Sequence, residues 1–188
     1  ERRRHPGSAA EGVGGVVLAV PEDERAGNRG ERHQPRPHAA SAARLADDAV
    51  GARRAIGGLA GNDLVINGLE GSTINFSGLN TYAGSTRFPG LVLLAGVANT
   101  FSPNSTHILA TQGSTLGILR LDGFSNVLGG LGGVGIVENS NALTAVTLTV
   151  GRNNENTNFA GEIRDGGLTA LSLTKVGIGA LTLSGTNT

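Results

Sequence analysis

Leu171-Ser-Leu-Thr-Lys-Val-Gly-Ile-Gly-Ala-Leu-Thr-Leu-Ser-Gly-Thr-Asn-Thr188 is the stretch that decides the fold. Leu171/Leu173 and Leu181/Leu183 alternate with polar residues, the period-two pattern of half-buried strands. Between them Lys175-Val-Gly-Ile-Gly179 supplies a turn, because glycine enters backbone conformations closed to other residues. The stretch has a counterpart upstream. A shift of 107 positions lays Ser184-Gly-Thr-Asn-Thr188 over Ser77-Gly-Leu-Asn-Thr81 and Leu181-Thr-Leu183 over Ile74-Asn-Phe76. The same shift lays Leu171-Ser-Leu-Thr174 over Leu64-Val-Ile-Asn67, and Phe159-Ala-Gly161 echoes Phe76-Ser-Gly78. Self-similarity at a fixed distance signals a repeat architecture. A distance of 107 residues is too long for one rung of a solenoid and fits a super-repeat of several rungs.

Leu173 to Thr188 resembles the autotransporter-associated β-strand repeat, also called the passenger-associated transport repeat, of bacterial surface proteins. That pattern reads roughly Leu-Thr-Lys-x-Gly-x-Gly-x-Leu-Thr-Leu-Ser-Gly-x-Asn-Thr-Tyr-x-Gly. Lys175, Gly177, Gly179, Leu181, Leu183, Ser184, Gly185 and Asn187 fall on its positions. The upstream copy supplies Ser77, Gly78 and Asn80, and continues into Tyr82 and Gly84 as the pattern does. Leu121-Asp-Gly-Phe-Ser125 and Leu128-Gly-Gly-Leu131 look like a further element of the family. The resemblance implies a right-handed parallel β-helix and a structural role for these residues. It implies a non-catalytic stalk or adhesive segment of an exported protein, at the cell surface or secreted through the bacterial outer membrane, without a cofactor. The partners implied are neighbouring rungs of the same parent protein, an outer-membrane translocation barrel and a host or environmental surface ligand. Folding from the barrel-proximal end would help draw such a segment outward. Two alternatives stay open. One is an enzyme-bearing passenger, a protease or polysaccharide lyase, with its active site outside this chain. The other is a β-helical surface protein with a different anchor.

Residues 56–188 carry 40 Ser, Thr and Asn, whereas residues 1–55 carry 3. The later part is predicted to be all-β. Strand candidates are Leu64–Asn67, Ile74–Ser77, Leu91–Val97, His107–Ala110, Ile118–Leu121, Gly135–Glu138, Val146–Val150, Asn158–Arg164, Leu168–Thr174 and Ala180–Leu183. Glycines at 78, 84, 113, 123, 151, 161 and 185 bound them, and Asn80, Asn99, Asn126, Asn153 and Asn187 suit turns. No apolar period of 3.6 supports a helix, in which each Gly would cost about 1 kcal/mol. With five Phe, one Tyr and no Trp, the expected core is a narrow stack of Leu, Val and Ile. At about 20–25 residues per rung this part makes about five to seven rungs. Stacked at about 4.8 Å, they give a rod of about 25–30 Å with open sheet edges prone to end-to-end association.

The first part is a different kind of polypeptide. It holds 10 of the 15 basic residues, 3 of the 4 His and 4 of the 6 Pro. Arg25 to His38 has no apolar residue larger than Ala, too little to offset chain entropy. We expect disorder over residues 1–55, with at most a short helix in residues 41–55. The abrupt compositional break also resembles out-of-frame translation of a GC-rich gene. The absence of Met and the cut of the second repeat at Thr188 read as a fragment, so a missing signal peptide says nothing about location.

Other functions find little footing. Ten basic side chains face eight acidic ones before residue 56, and five face seven after it, which gives no basic face for nucleic acid. Cysteine is absent, so neither a disulfide framework nor a thiolate metal site can form. His5, His33 and His38 lack a metal-ligand spacing, and Asp63, Asp122 and Asp165 are too scattered for a calcium-binding roll. Gly130-Leu-Gly-Gly-Val-Gly135 matches G-x-G-x-x-G, but strand and turn residues follow it where a helix is needed. We read it as a Gly-rich corner. His107, the single His of the later part, could form a triad with Asp122 or Asp165 only through unforeseen geometry; we read it as a turn histidine. Asn75 and Asn104 lie in glycosylation sequons by pattern alone.

Overall fold

The computed structural model describes residues 63–167 and 169–188. The disorder expected over residues 1–55, the short helix at 41–55 and His5, His33 and His38 lie outside the described residues. The described chain winds through about five turns of a β-solenoid. The first turn carries β1 (Leu64–Val65) and β2 (Thr73–Phe76), and the second β3 (Gly84–Pro89) and β4 (Val92–Ala95). The third has β5 (Ser105–Gln112), β6 (Thr115–Leu116), β7 (Ile118–Arg120) and β8 (Asn126–Leu128). The fourth has β9 (Gly130–Gly133), β10 (Ile136–Glu138) and β11 (Val146–Val150). The fifth has β12 (Thr157–Phe159), β13 (Glu162–Arg164) and β14 (Leu171–Lys175), after which β15 (Leu181–Leu183) begins another.

Stacking these turns builds three parallel sheets. Face one runs β1-β3-β5-β9-β12-β15, face two β2-β4-β7-β10-β13, and face three β8-β11-β14. The exception to parallel pairing is β6, which folds back on the end of β5 as an antiparallel hairpin. Register partners on successive turns lie 18 to 26 residues apart. Turn length therefore varies, and the loops at the corners absorb the difference.

Because the strands are stacked in register, alternate residues form columns that point inward. Ile74, Leu93, Leu119, Val137 and Ile163 make one column on face two. Phe88, Leu109, Gly133, Phe159 and Leu183 make another on face one. At Gly133, which has φ 87°, an added Cβ would overlap the Leu109 carbonyl oxygen of the turn below. Burial of each such Leu, Ile or Phe contributes about 1.5–3 kcal/mol. The core is less purely aliphatic than expected, for Phe88, Phe101 and Phe159 are fully buried.

The first two turns have no strand on the third side. Side chains close it instead. Asn80 Nδ2 donates to the Thr100 carbonyl (2.6 Å), and Thr100 Oγ1 donates to the Gly78 carbonyl (2.8 Å). The Phe101 amide donates to Asn126 Oδ1 (3.1 Å), so buried backbone groups that lack a strand neighbour are still paired.

Three readings are corrected. Gly130–Gly133 is a strand of face one, and the corner begins only after it, at Val134 and Gly135. Asn158–Arg164 is two strands, broken by the corner at Gly161. β3 was not expected at all, because Gly84, Arg87 and Pro89 dilute its pattern; its inward residues are Thr86 and Phe88.

Candidate functional site

The residues of the repeat motif gather at the corners of the solenoid. Gly117, Gly135, Gly161 and Gly185 follow one another between face one and face two. A Cβ on Gly135, Gly161 or Gly185 would overlap the carbonyl oxygen of the glycine one turn below. Backbones cross there too closely for any side chain; at Gly161 and Gly185, which have no positive φ, contact alone requires glycine, while Gly135 also has a positive φ (148°). Gly151 and Gly177 repeat the arrangement between face three and face one, and both also have positive φ. Gly179 lies against the carbonyls of Asn154 and Glu155. Lys175 ends β14 and folds over this corner, its Nζ donating to the carbonyls of Val176 and Gly177.

The asparagines of the motif share one local geometry. Asn187 Nδ2 donates to the carbonyl of Gly185 (3.1 Å), and Asn80 Nδ2 to that of Gly78 (3.2 Å). Asn126 makes the same bond to Phe124 (2.9 Å). The rest of the amide then reaches an adjacent turn, as where Asn187 Oδ1 accepts from the Ile163 amide (3.1 Å). Leu181 and Leu183 lie in β15, and Ser184 donates its amide to Phe159 (3.1 Å). In the upstream copy Ser77 is exposed, Tyr82 is buried in the core and Gly84 opens β3 with φ 88°.

The two copies do not occupy equivalent faces. The 107-residue shift lays β15 of face one over β2 of face two, and β14 of face three over β1 of face one. The shift therefore spans about four turns and a further part of one, a repeat of several rungs that is not a whole number of them. The motif encodes a strand, a corner and a strand, and different corners accept it.

Two polar arrangements escaped sequence reading. Arg120, Glu138 and Arg164 are register neighbours on the outside of face two. Arg120 Nη2 donates to Glu138 Oε1 (2.6 Å), and Arg164 Nη2 to Oε2 (2.8 Å). Burial alone would raise the Glu138 pKa, but hydrogen bonds from Arg164 and Arg120 and their charges outweigh it and hold the carboxyl below its ordinary value. The three residues are spaced 18 and 26 apart, so no periodicity discloses them.

The second arrangement lies inside. His107 is not in a turn; it points into the core from β5, fully buried, between Thr86 and Leu131 in register. Its ring meets Phe101 edge-on, with centroids 5.7 Å apart. Nδ1 lies 3.2 Å from the Ser105 carbonyl. A carbonyl only accepts, so Nδ1 carries the proton and Nε2 is a bare acceptor with no partner. Burial pushes the imidazole down to about 4. Among the described residues Tyr82 OH is the other buried side-chain polar atom without a bond of good geometry, and burial raises its pKa above the usual range against a pull from Thr86. The Thr86 hydroxyl is engaged with Ser105 Oγ (2.8 Å). The Ser105, Thr106, His107, Ile108, Leu109 alternation places His107 inward with Leu109, while the preceding Asn104-Ser-Thr106 run carries the composition of a turn.

His107 has no carboxylate partner and no route to solvent, so the geometry offers no triad. Asp122 faces Ser140 Oγ (3.3 Å), and Asp165 accepts from the Leu171 amide (2.9 Å), each at a different loop. Among the described residues no three His, Cys, Asp or Glu side chains come together. Among them, too, no helix is long and apolar enough to cross a membrane. Compared with family models, curated proteins and solved structures, the chain matches none.

Proposed function

We propose that the chain is a non-catalytic stalk or adhesive segment of an exported bacterial surface protein of the autotransporter passenger kind. The observation that carries this reading is the use of the motif glycines and asparagines. Gly161, Gly185 and Asn187 serve the stacking of one turn on the next, and no reactive group is associated with them. A polypeptide whose conspicuous sequence features all serve stacking is built to extend. Its lateral partners are further rungs of the parent protein. Its route outward is a translocation barrel, and its exposed faces would meet a host or environmental surface.

Surface labelling tests the proposal. An antibody against residues 63–188 should bind intact cells of the source organism, and external protease should remove the signal without lysis. A signal that appears only after lysis overturns the export reading and leaves the solenoid without this role.

A further inference from the structure

We propose that the seam around His107 is an acid-sensitive opening point of the solenoid, at which protonation of the imidazole parts the second, third and fourth turns while the fifth stays closed. This stands independently of the export reading. The second to fourth turns meet at His107, since Thr86 lies on β3, His107 on β5 and Leu131 on β9. The side chain is wholly buried. In its neutral form one ring nitrogen is bonded and the other is an unpaired acceptor, a modest penalty. The protonated form adds a charge and an N–H donor at Nε2, and no acceptor meets it there.

The groups around it offer no compensation. Thr86 faces it from β3, and its hydroxyl is already held by Ser105. Leu131 faces it from β9, and Phe101 packs against its ring. Tyr82, beside Thr86, is the titratable group of this region and stays neutral throughout the acid range. Arg87 turns outward from β3 and is exposed, and Glu155 binds Thr106 on the outer side of face one. No carboxylate acts on the imidazole, whose pKa is set by burial against one backbone bond.

The sign follows. A free imidazole takes its proton near 6.5, and the buried one near 4. Protons therefore favour the open form between these values. The seam is at full stability above the upper value and loses that contribution as pH falls toward the lower one. By about pH 4 the opening equilibrium rises on the order of 100-fold. The strands β13 and β14 of the fifth turn lie beyond this seam and carry no histidine.

Hydrogen exchange of the full chain at neutral pH and at about pH 4, corrected for intrinsic rates, reads this directly. Protection in β3, β5 and β9 should fall on the order of 100-fold relative to β13 and β14, and His107→Leu should abolish the differential loss. Equal change in both groups of strands, or an undiminished differential in the variant, overturns the proposal. Glu138 remains in both proteins, so its own response to acid cancels. Should His107→Leu fail to fold, a second variant decides. With His5, His33 and His38 changed to Gln, the single remaining imidazole is followed by NMR. A resonance neutral down to about pH 4, or until opening, supports the proposal, and titration near the free value in the closed protein overturns it.

Discussion

At the scale of single residues, glycines of similar sequence context have different jobs. Gly161 is needed because the Gly135 carbonyl occupies the space of a side chain. Gly132, also in a Gly-rich run, meets only the Asn158 carbonyl at 3.5 Å, an ordinary contact, and has no positive φ. Gly161→Ala should therefore cost about 1–3 kcal/mol, as the two backbones must separate. Gly132→Ala should be neutral or stabilising by up to about 1 kcal/mol, through reduced freedom of the unfolded chain. Urea unfolding of the two variants beside the parent checks both. Equal losses would mean that the corner contact is not what selects glycine. The sequence shows where the glycines are, but which of them is crowded depends on the turn below, some 24 residues away, as between Ile163 and Asn187.

At the scale of elements, β7, β10 and β13 are short and carry their charges outward, yet Glu138 is held on both sides by arginine. Its side chain is 5% exposed, while the two arginines are about one-third exposed, so solvent screens part of the attraction. Glu138→Gln at neutral pH should cost about 1–3 kcal/mol, the range for hydrogen bonds to a charged group. The pH dependence has a fixed direction. The folded carboxyl titrates below its ordinary 4.5, so its contribution is complete above that value and is lost as pH falls through the folded one. The stability gap between parent and variant should thus close on acidification, as measured by urea unfolding across the acid range. A gap that persists in strong acid would assign the cost to packing. Period-two alternation made β7, β10, β11 and β14 legible in the sequence. It failed for β3 and β9, where an inward Thr and several glycines stand in the places of aliphatic residues. Strand registers, and with them the Arg–Glu–Arg ladder, follow from turn lengths that no local pattern states.

At the scale of the molecule, the architecture was legible because a solenoid writes its fold repeatedly, once at every corner. Its register was not, because the corner loops differ in length. Stacking also decides how the molecule meets others. In the 188-residue chain β14 and β15 have a strand neighbour on one side only. Leu183, in register with Phe159 in a core column, is 38% exposed, and Ile178 nearby is 94% exposed. Unpaired backbone groups beside apolar side chains form a template for another strand. The chain should accordingly associate through this edge as its concentration rises. Leu183→Lys keeps the aliphatic stem over the column and puts a charge in the path of an incoming strand. It should shift the association midpoint upward by about tenfold, equivalent to about 1.4 kcal/mol. Thr147→Lys, on the outward side of face three, serves as the control because it adds the same charge away from the edge. Sedimentation equilibrium over a concentration series separates the two. Equal shifts in both variants would make net charge the cause, and a parent chain that stays monomeric throughout would show that this edge does not recruit a second copy.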